Sequence, residues 1–224
     1  MSILLSINKL SLKFPGKLLC RDISFDICSG DCIMLCGANG SGKSTLLKRI
    51  AQETGKVRFI PTGIPKVAGF STIDFIITSC YMESSWRGKV SEDMMEKIES
   101  TINLLGLSEL RDKDISTLSD GEFQKACIAT ALVKDAEVIL LDEPTAYLDI
   151  ENKFLVMRTL RKVAQDTGRA FMISTHDISP ALSACNRLFT INSDKSFEQE
   201  EISGSQVIKS KFLSKFVSLQ TTPV

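Results

Sequence analysis

Two hydrophobic periods divide this chain. Near its start, Ile23, Phe25 and Ile27 alternate with Ser24 and Asp26, the period of two that belongs to an antiparallel strand with one face in water. Short strands are therefore predicted over residues 3–28, with a turn at Pro15-Gly16. Other apolar runs are continuous: Cys32 to Cys36, Val138-Ile139-Leu140-Leu141 and Ala170-Phe171-Met172-Ile173-Ser174. Runs this short predict buried strands, and the one at 138–141 belongs in the middle of a parallel sheet. A further short strand is expected over Gly55 to Phe59, before a loop through Pro61-Thr62-Gly63 and Pro65.

From Thr72 to Leu118 the spacing becomes helical. Met94, Ile98, Ile102 and Leu105 share one face, and Gly106 follows as a C-cap. This block has no strand signal and predicts a helical subdomain, residues 70–117, inserted into an α/β core made of 1–69 and 118–224. Tyr81 and Trp86 are expected to anchor its local packing. A new helix begins at Ser119, where Glu122 three residues on completes a capping box, and runs through Phe123, Ala126, Ile128 and Leu132 to about Lys134-Asp135. Asn152 to Ala164 predicts an amphipathic helix. Ser179-Pro180 suits an N-cap followed by proline at the first helical position. Leu188 to Ile191 and Phe197 to Ile202 predict a closing hairpin, and Lys209 to Leu219 a short amphipathic helix.

Composition narrows the class. The 224 residues suffice for one large α/β domain, or a domain with a subdomain, and 43% hydrophobic content can fill its core. Lys+Arg and Asp+Glu balance at 27 each, so charge gives no case for nucleic acid or an anionic membrane surface as partner. No apolar run is long enough to span a bilayer, and no signal peptide is evident, so a cytoplasmic protein is expected. The seven cysteines are dispersed; Cys28, Cys32 and Cys36 straddle a turn and a strand and are expected to be reduced core thiols.

The chemistry concentrates at Gly37-Ala38-Asn39-Gly40-Ser41-Gly42-Lys43-Ser44-Thr45, between the strand at 32–36 and a helix starting Leu46-Leu47-Lys48. Strand, glycine-rich turn, then Lys-Ser at a helix start is the P-loop arrangement. Glycines let successive amides curl round phosphate oxygens, and the helix N-terminus adds its positive end. Lys43 can reach the β- and γ-phosphates of ATP, and the Ser44 hydroxyl can ligate Mg²⁺. Asp142-Glu143 closes the apolar run at 138–141, at the edge where open α/β sheets bind ligands. These two acids read as a Walker B pair: Asp142 for Mg²⁺, Glu143 as general base on the attacking water. His176, the single histidine, closes the strand at 170–174 at the same edge and is expected to contact the γ-phosphate. Phe14 has two readings, core packing or stacking on a nucleobase, and the residues alone favour packing.

Together these residues resemble the ATP-binding subunit of ABC transporters over nearly the full chain. Gly37 to Thr45 is similar to Walker A, Leu118-Ser119-Asp120-Gly121-Glu122 to the signature written LSGGQ, and Val138 to Glu143 to Walker B. Ala146-Tyr147-Leu148-Asp149 is similar to the D-loop and Ser174-Thr175-His176-Asp177 to the switch histidine. Phe14 falls at the family's adenine-stacking aromatic, which favours stacking over packing. The wording around 118–122, 143–149 and 174–182 looks like the importers of siderophore-iron, haem or cobalamin. The resemblance implies a P-loop NTPase core with a mostly parallel sheet, a small N-terminal antiparallel β subdomain and the inserted helical subdomain. It implies an ATPase that docks on integral-membrane permease subunits at the cytoplasmic face of the inner membrane. It also implies a pair of chains, a homodimer or two paired ABC subunits. Ser119, Gly121 and Glu122 of one chain then meet the ATP held by the other.

Two departures accompany the resemblance. The family's glutamine that touches Mg²⁺ and relays to the permease falls at Thr62, and the stretch before it is short, so the antiparallel part is expected to lack one or two strands. Asp120 and Glu122 replace Gly and Gln of the signature. Two other functions fit the same motifs: a soluble ABC ATPase that drives a non-transport process such as metal-cluster assembly, and an ATP-gated binding module with little hydrolysis.

Overall fold

The computed structural model describes residues 2–14, 16–53, 57–81 and 90–202; for Phe14, Glu53 and Tyr81 it describes the backbone alone. The expected contacts of the Phe14 ring, Tyr81 and Trp86, and the helix expected over 209–219, lie outside the described residues.

In chain order the elements are β1 (Ile3–Phe14), β2 (Lys17–Cys28), β3 (Cys32–Gly37), α1 (Lys43–Glu53), β4 (Val57–Ile60), α2 (Thr72–Tyr81) and α3 (Glu92–Leu104). After two short 3₁₀ turns come α4 (Asp120–Leu132), β5 (Val138–Asp142), α5 (Ile150–Thr167), β6 (Ala170–Ser174), α6 (Ile178–Ala184), β7 (Arg187–Ile191) and β8 (Phe197–Glu201). β1 and β2 pair antiparallel in a two-stranded sheet. The main sheet has the order β4-β5-β6-β3-β7-β8, parallel except for β8, which closes an antiparallel hairpin with β7. The one described strand between α1 and Thr62 is β4, and it joins the parallel sheet beside β5 rather than the antiparallel one.

Every residue of β3, β5 and β6 is buried, because each face of the main sheet is covered. Alternate residues serve opposite faces. Cys32, Met34, Cys36, Ile139, Leu141, Phe171 and Ile173 join the core on the helical side, with Ile76, Ile98, Ala126 and Leu160. Ile33, Leu35, Leu140 and Met172 join a second core with Leu46 and Ile50 of α1 and Ile23, Phe25 and Ile27 of β2. The insertion thus shares a core with the sheet: Ile98, Ile102, Leu105 and Ile115 are almost wholly buried in the same cluster as Ile139. α4 is buried on most sides from Phe123 to Leu132, which is why its sequence shows little amphipathic contrast.

The predicted ends shift at three helices: α4 stops at Leu132 rather than near Lys134-Asp135, α5 runs Ile150–Thr167 rather than Asn152 to Ala164, and the α6 cap moves. α3 stops in a Schellman arrangement: Gly106, at φ 65°, donates to Asn103 O and Leu107 donates to Ile102 O. The N-cap of α6 is Asp177, not Ser179, and Pro180 lies inside its first turn. A proline there loses no hydrogen bond, since the first amides of a helix have no intrahelical acceptor. The seven cysteines are free thiols, six of them buried.

Because the insertion and the sheet share one core, Ile98→Ala should destabilise the whole protein by about 2–5 kcal/mol. A single thermal transition moved to lower temperature is the expected calorimetric result; a separate early transition would mean the insertion unfolds alone.

Candidate active site

β6 lies between β3 and β5, and all three run parallel. Ser174, the last residue of β6, is the register partner of both Leu35 and Asp142. The carboxyl ends of the three strands therefore meet at one edge, and each continues into a predicted site segment: 38–42 after β3, Glu143 after β5, Thr175-His176 after β6.

The turn after β3 requires its glycines. Gly37 and Gly42 have φ of 153° and 107°, and a Cβ at Gly37 would lie 2.5 Å from Ser41 Oγ and 2.8 Å from Ile191 O. Lys43 folds back under the turn and donates to Gly37 O at 2.9 Å and Ala38 O at 3.3 Å. Burial lowers its pKa, against the pull of Glu143, Cys36 and Asp142. Ser41 Oγ is buried with no hydrogen-bond partner.

Asp142 is the hub of the second segment. Its Oδ1 accepts from Ser44 Oγ at 3.0 Å and from Ser174 Oγ at 2.6 Å, while its carbonyl accepts from Thr62 Oγ1 at 2.8 Å. Ser44 and Asp142 thus present two hard oxygens side by side next to the phosphate turn. That donor set fits Mg²⁺, which takes few protein ligands and completes its shell with phosphate and water. Thr62 spends its hydroxyl on the β5 main chain.

Glu143 is held in a left-handed backbone conformation, φ 50°, by its N–H, which donates to both O (3.0 Å) and Oγ (3.1 Å) of Ser174. Left-handed backbone at a non-glycine residue is a strained state. It turns the carboxylate towards His176: Oε1 lies 3.2 Å from Nε2, and the His176 N–H donates to Oε2 at 3.3 Å. Burial raises the Glu143 pKa, with His176 and Lys43 opposing. A cavity of about 440 Å³ is lined by Asn39, Gly40, Lys43, Thr45, Glu143 and His176, with Gly42, Ser44 and Leu19 also on its wall. The larger cavity, about 830 Å³, lies elsewhere, around Asp31 and Arg187.

The predicted signature and D-loop residues do not line the 440 Å³ cavity. Ser119 Oγ accepts from Glu122 N at 3.2 Å and Glu122 Oε2 accepts from Ser119 N at 2.7 Å, a complete capping box. The Ser119 amide, and then its hydroxyl, bonded to the carboxylate hold the Glu122 pKa down. Gly121 packs on the D-loop, where a Cβ would stand 3.0 Å from Tyr147 O. Asp149 N-caps α5, accepting from Asn152 N at 2.8 Å.

Several residues take contacts that the motifs do not assign them. Ser174 ties two strand ends together. Asp177 accepts from Thr145 Oγ1 at 2.6 Å and pairs with Lys153 Nζ at 2.6 Å, joining the segments after β5 and β6. Leu19 enters the cavity from β2. Ser174 and Asp177 stand within the segment that resembles the switch histidine; Thr145, Lys153 and Leu19 have no local signal.

The profile of the ABC transporter family matches residues 20–146, more than half of the chain. The petrobactin import ATP-binding protein FpuD of Bacillus anthracis is 25% identical, over 93% of this chain and 86% of its own. The spermidine/putrescine import ATP-binding protein PotA of Mycoplasma capricolum is 29% identical over 84% of this chain, which spans only 59% of that relative. Among solved structures, an inward-facing protein described as a metal-chelate type ABC transporter superposes with a TM-score of 0.78 at 24% identity, covering 88% of this chain and 82% of that one. That likeness establishes the fold. Glycine turn, paired acids and histidine at one sheet edge, together with the family match, lead to one conclusion: the chain belongs to the ABC transporter family and is an ATP-binding, ATP-hydrolysing cassette subunit.

Proposed function

We propose that this cassette powers import of a metal chelate through partner permease subunits, working as a dimer on the cytoplasmic face of the inner membrane. The cargo reading rests on the petrobactin relative, which aligns over most of both chains. The polyamine relative covers a smaller share of its own length. Among the described residues no helix is long and apolar enough to cross a membrane, so attachment passes through partners. The whole of 1–224 acts as one cassette, with 70–117 as its helical arm.

The observation that carries the mechanism is the meeting of Lys43, Asp142, Glu143 and His176 at one sheet edge. The amides of 38–43, the Lys43 ammonium and the orphan Ser41 hydroxyl bind the triphosphate. Asn39 and Thr45 line the same wall, and the Phe14 ring is assigned to the adenine. Ser44 and Asp142 hold Mg²⁺, which neutralises phosphate charge when bound. Glu143 takes one proton from the water that attacks the γ-phosphorus as the bond to ADP breaks. A carboxyl with a raised pKa is the stronger base for that step. His176 fixes the Glu143 carboxylate and faces the γ-phosphate.

Ser119 and Gly121 stand outside the nucleotide cavity of their own chain, which supports their use on the ATP of a second copy in a two-fold sandwich. Glu122 contributes by capping: its amide and its carboxylate fix the direction of the Ser119 hydroxyl. Asp149 holds the start of α5 beside that contact. Thr62 braces the β5 end through Asp142 O.

Glu143→Gln should slow phosphate release by about 10²–10⁴-fold while ATP still binds and drives dimerisation; turnover near wild type would remove Glu143 as the base. Lys43→Ala should weaken ATP binding by about one to two decades in equilibrium titration, and unchanged affinity would contradict its role. Folded Glu143 binds its proton more tightly than a carboxyl of ordinary pKa 4.5. The stability this lends is whole below the ordinary pKa and is lost as pH rises through the raised one. Glu143→Gln without nucleotide should therefore melt above wild type near pH 8 and converge with it at about pH 4. For cargo, loss of the gene should lower uptake of chelated iron and leave spermidine uptake intact; the reverse pattern overturns the metal-chelate reading.

A further inference from the structure

Lys66 stands in the loop between β4 and α2, away from the nucleotide cavity, and touches the start of α4 at three points. Its Nζ donates to the Leu118 carbonyl at 2.6 Å, pairs with Asp120 Oδ1 at 2.8 Å and lies 5.8 Å from the centre of the Phe123 ring. Leu118 O precedes the N-cap and has no place in the helical ladder, whose first acceptor is Ser119 O. The Lys66 side chain is 24% exposed and Asp120 69%. The ion pair alone is therefore weak, and the main-chain bond sets the geometry.

Four residues earlier, Thr62 donates to Asp142 O. The span between, Gly63-Ile64-Pro65, is short and contains a proline that fixes one of its torsions. The loop is thus pinned at both ends: to the last residue of β5, whose carboxylate receives Ser44 and Ser174, and to the turn that sets the direction of Ser119. Asp120, where the family motif has glycine, supplies the carboxylate for one of these contacts.

We propose that Lys66 is a positioning residue for the hydrolytic cycle: with Thr62 it forms a two-point brace that couples the Asp142 end of β5 to the α4 N-terminal turn offered to the partner's ATP. The inference rests on the sandwich reading above. A shift of the β5 end when nucleotide enters is carried by the loop to Leu118 and Asp120, and reorients Ser119. The brace divides between the short Thr62 side chain and the long Lys66 one a span that Thr62 cannot cover alone.

The test uses the full chain carrying Glu143→Gln, with ATP, in sedimentation equilibrium, alongside ATP titration of the dilute single chain. Lys66→Met should weaken ATP-driven association by about tenfold with ATP affinity of the single chain and melting temperature unchanged, and Lys66→Arg should restore it. Asp120→Asn should cost part of the same association, and the double variant should lose less than the two singles combined, the mark of direct coupling. Association unaffected by Lys66→Met, additive losses, or no rescue by Arg overturns the brace. Ser119→Asp separates the two layers: aspartate still caps the helix but sets a negative charge against the partner's phosphate. If Ser119→Asp abolishes association while Lys66→Met does not, the brace alone falls. If Ser119→Asp associates normally, or Glu143→Gln stays monomeric with ATP, the sandwich falls and the brace with it.

Discussion

Register between β3, β6 and β5 is the constraint on which the site depends. Ser174 is level with Leu35 on one side and Asp142 on the other, and its side chain and carbonyl then hold both Asp142 Oδ1 and the Glu143 amide. A slip of one residue would exchange the two faces of β6, sending Met172 towards the helical core and Phe171 and Ile173 towards α1. Since both faces are fully buried with side chains of different volume, that exchange disrupts both cores at once. The apolar interior thus fixes the positions of a hydroxyl, a carboxylate and a strained amide at the sheet edge.

The edge itself is less comfortable than the core beneath it. Lys43 and Glu143 are each shifted by burial towards their neutral forms, and each is pulled back by the other. Glu143 also sits in left-handed backbone, and Ser41 keeps a buried hydroxyl without a partner. Unpaired polarity, opposed charges and a strained residue within one small region are what a polyanion site should contain. On the reading proposed above, a phosphate chain would satisfy Lys43 and Ser41 together and so link nucleotide binding to local stability.

Much of this was legible in the residues. Continuous apolar runs ending in Gly37, Asp142 and Ser174 announced buried parallel strands, and their chemistry sat at the ends because open sheets leave only ends accessible. What stayed hidden was long-range hydroxyl and charge pairing. Thr145, Lys153 and Asp177 meet only because β5 and β6 are neighbours, and Lys66 meets Leu118 only because the loop after β4 folds onto α4. No periodicity encodes such contacts. The α6 start was misjudged for a local reason: proline is tolerated anywhere in the first turn, so Ser179-Pro180 placed the cap two residues late.

On the sandwich reading proposed above, the signature turn has to cap its own helix and also face a partner's phosphate. As a cap, Ser119 Oγ accepts the Glu122 amide, and Glu122 in turn accepts the Ser119 amide. The Ser119 hydroxyl also bonds the Glu122 carboxylate, so amide and carboxylate of Glu122 together fix the direction of that side chain. The carboxylate of Glu122 is kept ionised by the same bonds and is directed at its own backbone. Were it released, it would stand as a second negative charge facing an incoming phosphate. On that reading, Glu in place of the motif's usual Gln is tolerable only while the capping box is closed, which would tie the competence of the α4 terminus to the integrity of its first turn. Lys66, by holding Leu118 and Asp120 immediately before and within that turn, acts on this same condition from outside the helix.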